Sequence, residues 1–174
     1  MKKIEYLNET YYYDKGKFYN RSFLELSKKE RNSLCEYFLS TIDLRTFEFE
    51  EFIELSNELD NGENYEHCVK IIEKGFEIYF DKRDYAKLML PKLFRLYRLQ
   101  GNSKKVIDLW ESFWIKKVNF IESSALYIVI GAAYCDENRI EQAKYFANKA
   151  YGLQCGSPNE YLSNLYMRIN SMMN

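Results

Sequence analysis

Two arginines three positions apart, Arg95 and Arg98, are the residues of this chain best suited to chemistry. On a helix that spacing puts both on one face. A guanidinium forks onto a carboxylate or phosphate through paired N–H groups, so the pair is a candidate anchor for an acidic ligand. Other chemistry has little to work with. His67 is the only histidine; it follows Asn64 by three residues, in the first turn of an expected helix, and reads as a structural or surface residue rather than a general base. Glu48, Glu50, Glu51, Glu54 and Glu58 form an acidic run with no matching acidic cluster elsewhere, which reads as a solvated helix face rather than a metal site. Cys35, Cys68, Cys135 and Cys155 are widely spaced and lack a Cys-x-x-Cys pair, so they read as reduced, buried thiols of a cytoplasmic protein. There is no Gly-rich phosphate loop and no Gly-x-Ser-x-Gly elbow. No catalytic residue, metal or cofactor is therefore expected.

The elements that must carry the arginines are helices. Two prolines and seven glycines in 174 residues leave long stretches unbroken. The net charge of −1 gives no global pull toward nucleic acid or anionic membrane. No apolar run approaches the roughly 20 residues of a membrane span, and the start Met1-Lys2-Lys3-Ile4-Glu5 lacks a signal-peptide core. Aromatics reach 17%, with 16 tyrosines divided between core and any binding surface. The rich Lys, Asn, Tyr and Ile usage is compatible with an AT-rich bacterium or its phage.

Residues 124 to 158 hold the sharpest pattern. Tyr127, Ile130, Gly131 and Tyr134 form one helical stripe, and Ala143, Ala147 and Ala150 a second. Asp136-Glu137-Asn138 marks a turn between them. Gly131 and Ala143 would let the two backbones approach. Asn138 with Glu141 fits a capping box, and Ser157, Pro158 and Glu160 fit the start of a further helix. This segment resembles a tetratricopeptide repeat, a two-helix unit that stacks on copies of itself. Weaker copies precede it. Leu90, Leu93, Phe94 and Tyr97, the turn Gly101-Asn102 with Ser103 as cap, and Val106, Trp110 and Phe113 lie 37 residues earlier. Phe52, Leu55, Ser56 and Leu59, the turn Asn61-Gly62 with Asn64 as cap, and Cys68, Ile72 and Gly75 lie a further 38 earlier. Phe94 and Val106 depart from the family pattern, which wants small residues there. Units of 37 to 38 residues are slightly longer than the usual period of about 34, and residues 80 to 86 are expected to take up the extra length. Pro91 implies either a helix start or a bend.

Ser27 and Glu30 fit another capping box, followed by Leu34, Cys35, Phe38, Leu39 and Ile42 at helical spacing. That helix and the one beginning at Pro158, with Leu162, Leu165, Tyr166 and Ile169, would cap the two ends of a stack. The first 23 residues differ. Tyr11-Tyr12-Tyr13 and Phe18-Tyr19 flank Asp14-Lys15-Gly16-Lys17, which predicts a short β-hairpin that packs on the helices, pairs with a partner strand, or stays mobile. The expected architecture is thus all-α: an aromatic arm over 1–23, then a tetratricopeptide-like solenoid of about three hairpins over 24–174.

The resemblance implies that one face of each first helix lines a groove for a protein or peptide. The matching positions include Asn57, Leu88, Pro91, Arg95, Arg98, Ala132, Cys135 and Asp136, of which Asn57, Arg95, Arg98 and Asp136 are the candidate partner contacts. The subtype that clamps chaperone C-terminal tails does not fit, because Ile53, Lys92, Ala125 and Val129 occupy most of its clamp positions. Residues 46 to 80 carry 10 acids against 2 bases, and residues 81 to 117 carry 10 bases against 4 acids. Such blocks either support one another or orient a charged partner. The expected function is non-catalytic protein binding, as an adaptor, inhibitor or immunity-type protein. The alternative is nucleic-acid binding through the basic segment 81–117, against which the net charge and the neighbouring acids argue.

Overall fold

A computed structural model of the chain describes residues 1–22, 26–79, 83–111 and 122–173. The described chain is mostly helical with one small sheet. In order come β1 (Lys2–Tyr6), β2 (Glu9–Asp14), β3 (Lys17–Asn20), α1 (Lys28–Thr41), a short 3-10 turn (Leu44–Thr46), α2 (Phe49–Asn61), α3 (Tyr65–Ile78), α4 (Arg83–Leu99), α5 (Ser103–Leu109), α6 (Ser124–Asp136), α7 (Ile140–Leu153) and α8 (Glu160–Met173). They form two compact units, Met1–Tyr85 and Ala86–Asn174, with the division inside α4.

In the first unit the expected hairpin is the second half of a three-stranded antiparallel sheet, ordered β1-β2-β3. Lys15-Gly16 turns the chain with φ of 44° and 87°, as a tight two-residue hairpin requires. A Cβ on Gly16 would sit 2.6 Å from the backbone carbon of Glu54, so the turn lies directly on α2. Strand β1 was not expected. Its turn, Leu7-Asn8, has φ of 50° and 63° without any glycine, so the usual hairpin signature is missing. The sheet buries Ile4, Tyr13 and Phe18. The rings of Tyr13 and Phe18 join Phe38, Phe47 and Phe52, with Tyr13 to Phe38 centroids 4.6 Å apart and Phe47 to Phe52 5.4 Å apart. Much of the aromatic content is therefore core. The capping box of Ser27 and Glu30 forms as expected and starts α1. Gly75 in α3 makes room for Tyr85, whose hydroxyl would lie 1.9 Å from an added Cβ and which donates a hydrogen bond to the Ile72 carbonyl.

Three helix ends share one closure. Glu63, Gly101 and Asn138 each adopt a left-handed φ, of 56°, 72° and 56°. Each is followed by an amide that bonds back five residues: Asn64 to Leu59, Asn102 to Tyr97, and Arg139 to Tyr134, at 2.8, 2.9 and 2.8 Å. This is the Schellman closure, which satisfies carbonyls that a helix end leaves bare. It recurs at the 38- and 37-residue offsets read from the sequence.

The same closure corrects several expected caps. Asn138 is committed to ending α6, so the box with Glu141 does not form, and α7 starts after Arg139 without a side-chain cap. Ser103 lies inside α5 and does not cap it. Asn64 does precede α3, but its side chain bonds the side chains of Asn32 and His67 instead of the backbone amides of the helix. Helix α8 is capped by Asn159, whose Oδ1 accepts from the Leu162 amide at 2.9 Å, rather than by Ser157. Pro91 lies inside α4, which excludes a helix start there. Gly131 behaves as expected: an added Cβ would lie 3.3 Å from the Ala143 carbonyl oxygen. Trp110 packs edge-on to Phe146 and Tyr127 at 5.7 and 6.4 Å. Cys35, Cys68 and Cys135 are buried, but Cys155, in the left-handed turn after α7, is exposed. Phe113 lies outside the described residues.

Candidate functional site

The second unit contains a cavity of about 320 Å³ built from three helices. Helix α6 provides Ala125, Ile128, Val129 and Ala132, and α8 provides Tyr161, Asn164, Leu165 and Arg168. Both sets follow the spacing i, i+3, i+4, i+7, which is one continuous helical face. Helix α4 adds Arg95 and Arg98, and the cap residue Asn159 completes the wall. Among the described residues lining the cavity, three are arginines and none is acidic. The result is an apolar floor with a basic wall and an amide-bearing edge.

Asp136 organises the basic wall. It is the last residue of α6, where the helix dipole disfavours an anion. Arg98 approaches it with Nε to Oδ2 at 2.8 Å and a second nitrogen to Oδ1 at 3.3 Å. Arg168 donates to Oδ1 at 2.6 Å, and the Ser103 hydroxyl donates to Oδ2 at 2.5 Å. Burial alone would push the Asp136 carboxyl up. The hydrogen bonds from Arg98, Ser103 and Arg168 outweigh it and hold the group below its ordinary 3.8. One carboxylate thus fixes two guanidinium groups from different helices, limiting the side-chain entropy lost when a ligand binds. A second depression adjoins this network and is lined by Arg95, Arg98, Leu99, Gly101, Ser103, Asp136 and Glu137.

The candidate contacts named from sequence fall as follows. Arg95 and Arg98 line the cavity together, each half-buried. Asp136 bonds the basic wall from behind and lines the second depression. Ala132 is on the floor, whereas Cys135 is buried and Leu88 is exposed away from the lining. Asn57 is half-buried in α2 of the first unit. The sequence pattern does not single out Arg168, Tyr161 and Asn164, because the apolar residues of α8 mark that helix only as an end cap. The available signal was the polar stripe on that helix at helical spacing.

The histidine and the acidic run singled out in the sequence lie in the first unit. His67 is buried in the first unit, with Nδ1 2.6 Å from Asn64 Oδ1. Glu58 of the acidic run pairs with Arg31 at 2.7 Å, and Glu51 closes a box with Glu48 at the start of α2. Among the described residues, no group of three His, Cys, Asp or Glu is placed to hold a metal ion. No described helix is long and apolar enough to cross a membrane. Compared with models of known protein families, with curated proteins and with solved structures, the chain matches none.

Proposed function

We propose that this chain is a tetratricopeptide-like, non-catalytic binding protein. It receives an extended acidic peptide segment of a partner on the face formed by α4, α6 and α8. The observation that carries the reading is the cavity lining: an apolar floor beside three arginines with no acid among the described lining residues. Such a surface favours a segment that places an apolar side chain next to an Asp or Glu. The floor desolvates the apolar group, Arg95 and the clamped Arg98 and Arg168 orient the carboxylate, and Asn159 and Asn164 are suited to a peptide backbone. The helix closures repeated at 38- and 37-residue offsets support the helical-repeat reading. Action as an adaptor, inhibitor or immunity-type protein in the cytoplasm is consistent with such a site.

The test is selection of a displayed peptide library on the full chain, followed by affinity measurement against Arg95→Glu and Ala132→Trp. Arg98 is left intact because its reversal would confront Asp136. Enriched peptides should pair an acidic with an apolar residue, and each variant should weaken them by about tenfold or more. A failure to enrich, or enrichment of basic peptides, would sink the proposal. The nucleic-acid alternative rests on the segment 81–117, of which 81–82 and 112–117 lie outside the described residues. It predicts single-strand binding that falls steeply with added salt.

A further inference from the structure

Strand β1 is an edge of the three-stranded sheet. Its turn to β2 has two residues, Leu7 and Asn8, both left-handed, flanked by the pair Tyr6 and Glu9. The pair flanking such a turn exchanges both backbone hydrogen bonds, and bonded pairs then alternate along the strand. Tyr6, Ile4 and Lys2 therefore spend their backbone groups on β2. The N–H and C=O of Lys3 and Glu5 point out of the sheet. The β2–β3 turn agrees: its flanking pair, Asp14 and Lys17, sends the groups of Tyr12 toward β3 and leaves those of Tyr11 for Ile4.

The side chains on this edge alternate in a useful way. Lys3 and Glu5 share the solvent face, 60% and 58% exposed, with their charged groups 2.5 Å apart. Ile4 is buried on the other face. Beside the edge lies a cavity of about 290 Å³ between Lys2–Glu5 and the end of α1, at Tyr37, Phe38, Thr41 and Ile42. An edge lysine ordinarily repels foreign strands. Here the order Lys-Ile-Glu makes the edge complementary to itself.

We propose that β1 pairs with β1 of a second copy, antiparallel about a two-fold axis at Ile4. In that register Lys3 faces the partner's Glu5 and Glu5 faces the partner's Lys3. Both are positions whose backbone groups are directed outward, so the charged pairs coincide with the hydrogen-bonded pairs. A slip of two residues either way sets Lys3 against the partner's Lys3, or Glu5 against the partner's Glu5. Charge thus selects one register, and two-fold pairing closes the assembly as a six-stranded sheet.

Sedimentation velocity of the full chain over a concentration series tests this. Wild type should pass from monomer to dimer. Lys3→Glu alone and Glu5→Lys alone each oppose like charges at both bonded pairs, and should weaken association by about tenfold. The double variant should restore it. Mixing the two single variants should yield a heterodimer, because each then presents the charge the other lacks. Melting curves of the single variants check that each folds. A wild type that stays monomeric throughout, or single variants that dimerise as wild type does, would overturn the proposal. Failure of the mixture to associate would assign any wild-type dimer to another surface.

Discussion

The hairpins α2–α3 and α6–α7 end their first helices with the same backbone closure, yet the glycine of each meets a different kind of neighbour. The first is packed with rings. Gly75 is a socket for Tyr85, itself surrounded by Phe52, Phe76 and Tyr79 at centroid distances of 6.4, 5.0 and 6.0 Å. In the second, small residues line the glycine contact, with the rings of Tyr127, Tyr134 and Phe146 beside it. Gly131, Ala143, Ala147 and Ala150 bring backbones together, and the nearest atom to an added Gly131 Cβ is the tip of Leu165 at 2.9 Å. A rigid ring fixes its socket, whereas a flexible leucine tip leaves slack. The alanine-lined unit is also the one with the arginine-walled cavity, so thin side chains at one helix contact accompany a face open to a ligand.

Substitutions can break this comparison. Gly75→Ala should cost most, about 2–3 kcal/mol in chemical denaturation, because the Tyr85 ring must move and lose its hydrogen bond. Adding Tyr85→Phe should recover part of that loss; full stability in the single variant would remove the socket argument. Next comes Asp136→Asn, expected to cost about 1–2 kcal/mol near neutral pH by weakening the Arg98 and Arg168 bonds. The folded Asp136 is held below its ordinary 3.8. Its charged form therefore contributes fully above that value, and the contribution fades as pH falls through the lower folded value. The melting difference between wild type and variant should hold steady down to about pH 4 and shrink below it; a difference that shrinks between pH 7 and 5 would implicate another group. Gly131→Ala should have the smallest effect, within about 1 kcal/mol of wild type, since Leu165 can rotate away and alanine improves helix propensity. A loss as large as that of Gly75→Ala would show that the second hairpin has no slack either.

These contrasts also mark what the sequence could reveal. Helical stripes, the Ser27–Glu30 box, the close approach at Gly131 and the turn positions near 62, 101 and 138 are local patterns, and each is present in the structure. Choices between competing local uses were harder to see. Asn138 can cap α7 or end α6, and the left-handed turn wins because it satisfies two carbonyls. Ser103 can cap α5, but Asp136 recruits its hydroxyl from far along the chain. Strand β1 hid because Leu7-Asn8 lacks the expected glycine. For the site, Arg95 and Arg98 were visible as a spaced pair. Arg168 was not, because nothing local ties it to a carboxylate 32 residues away.

The position of Trp110 has an optical consequence. The chain has two tryptophans, at 110 and 114, and both follow Ala86. The first unit absorbs and emits only through tyrosine and phenylalanine. Excitation at the red edge of the indole band therefore selects the second unit, where Trp110 lies against Phe146 and Tyr127. Far-ultraviolet ellipticity follows the helices of both units. Comparing the two signals during one melt separates the units without any label.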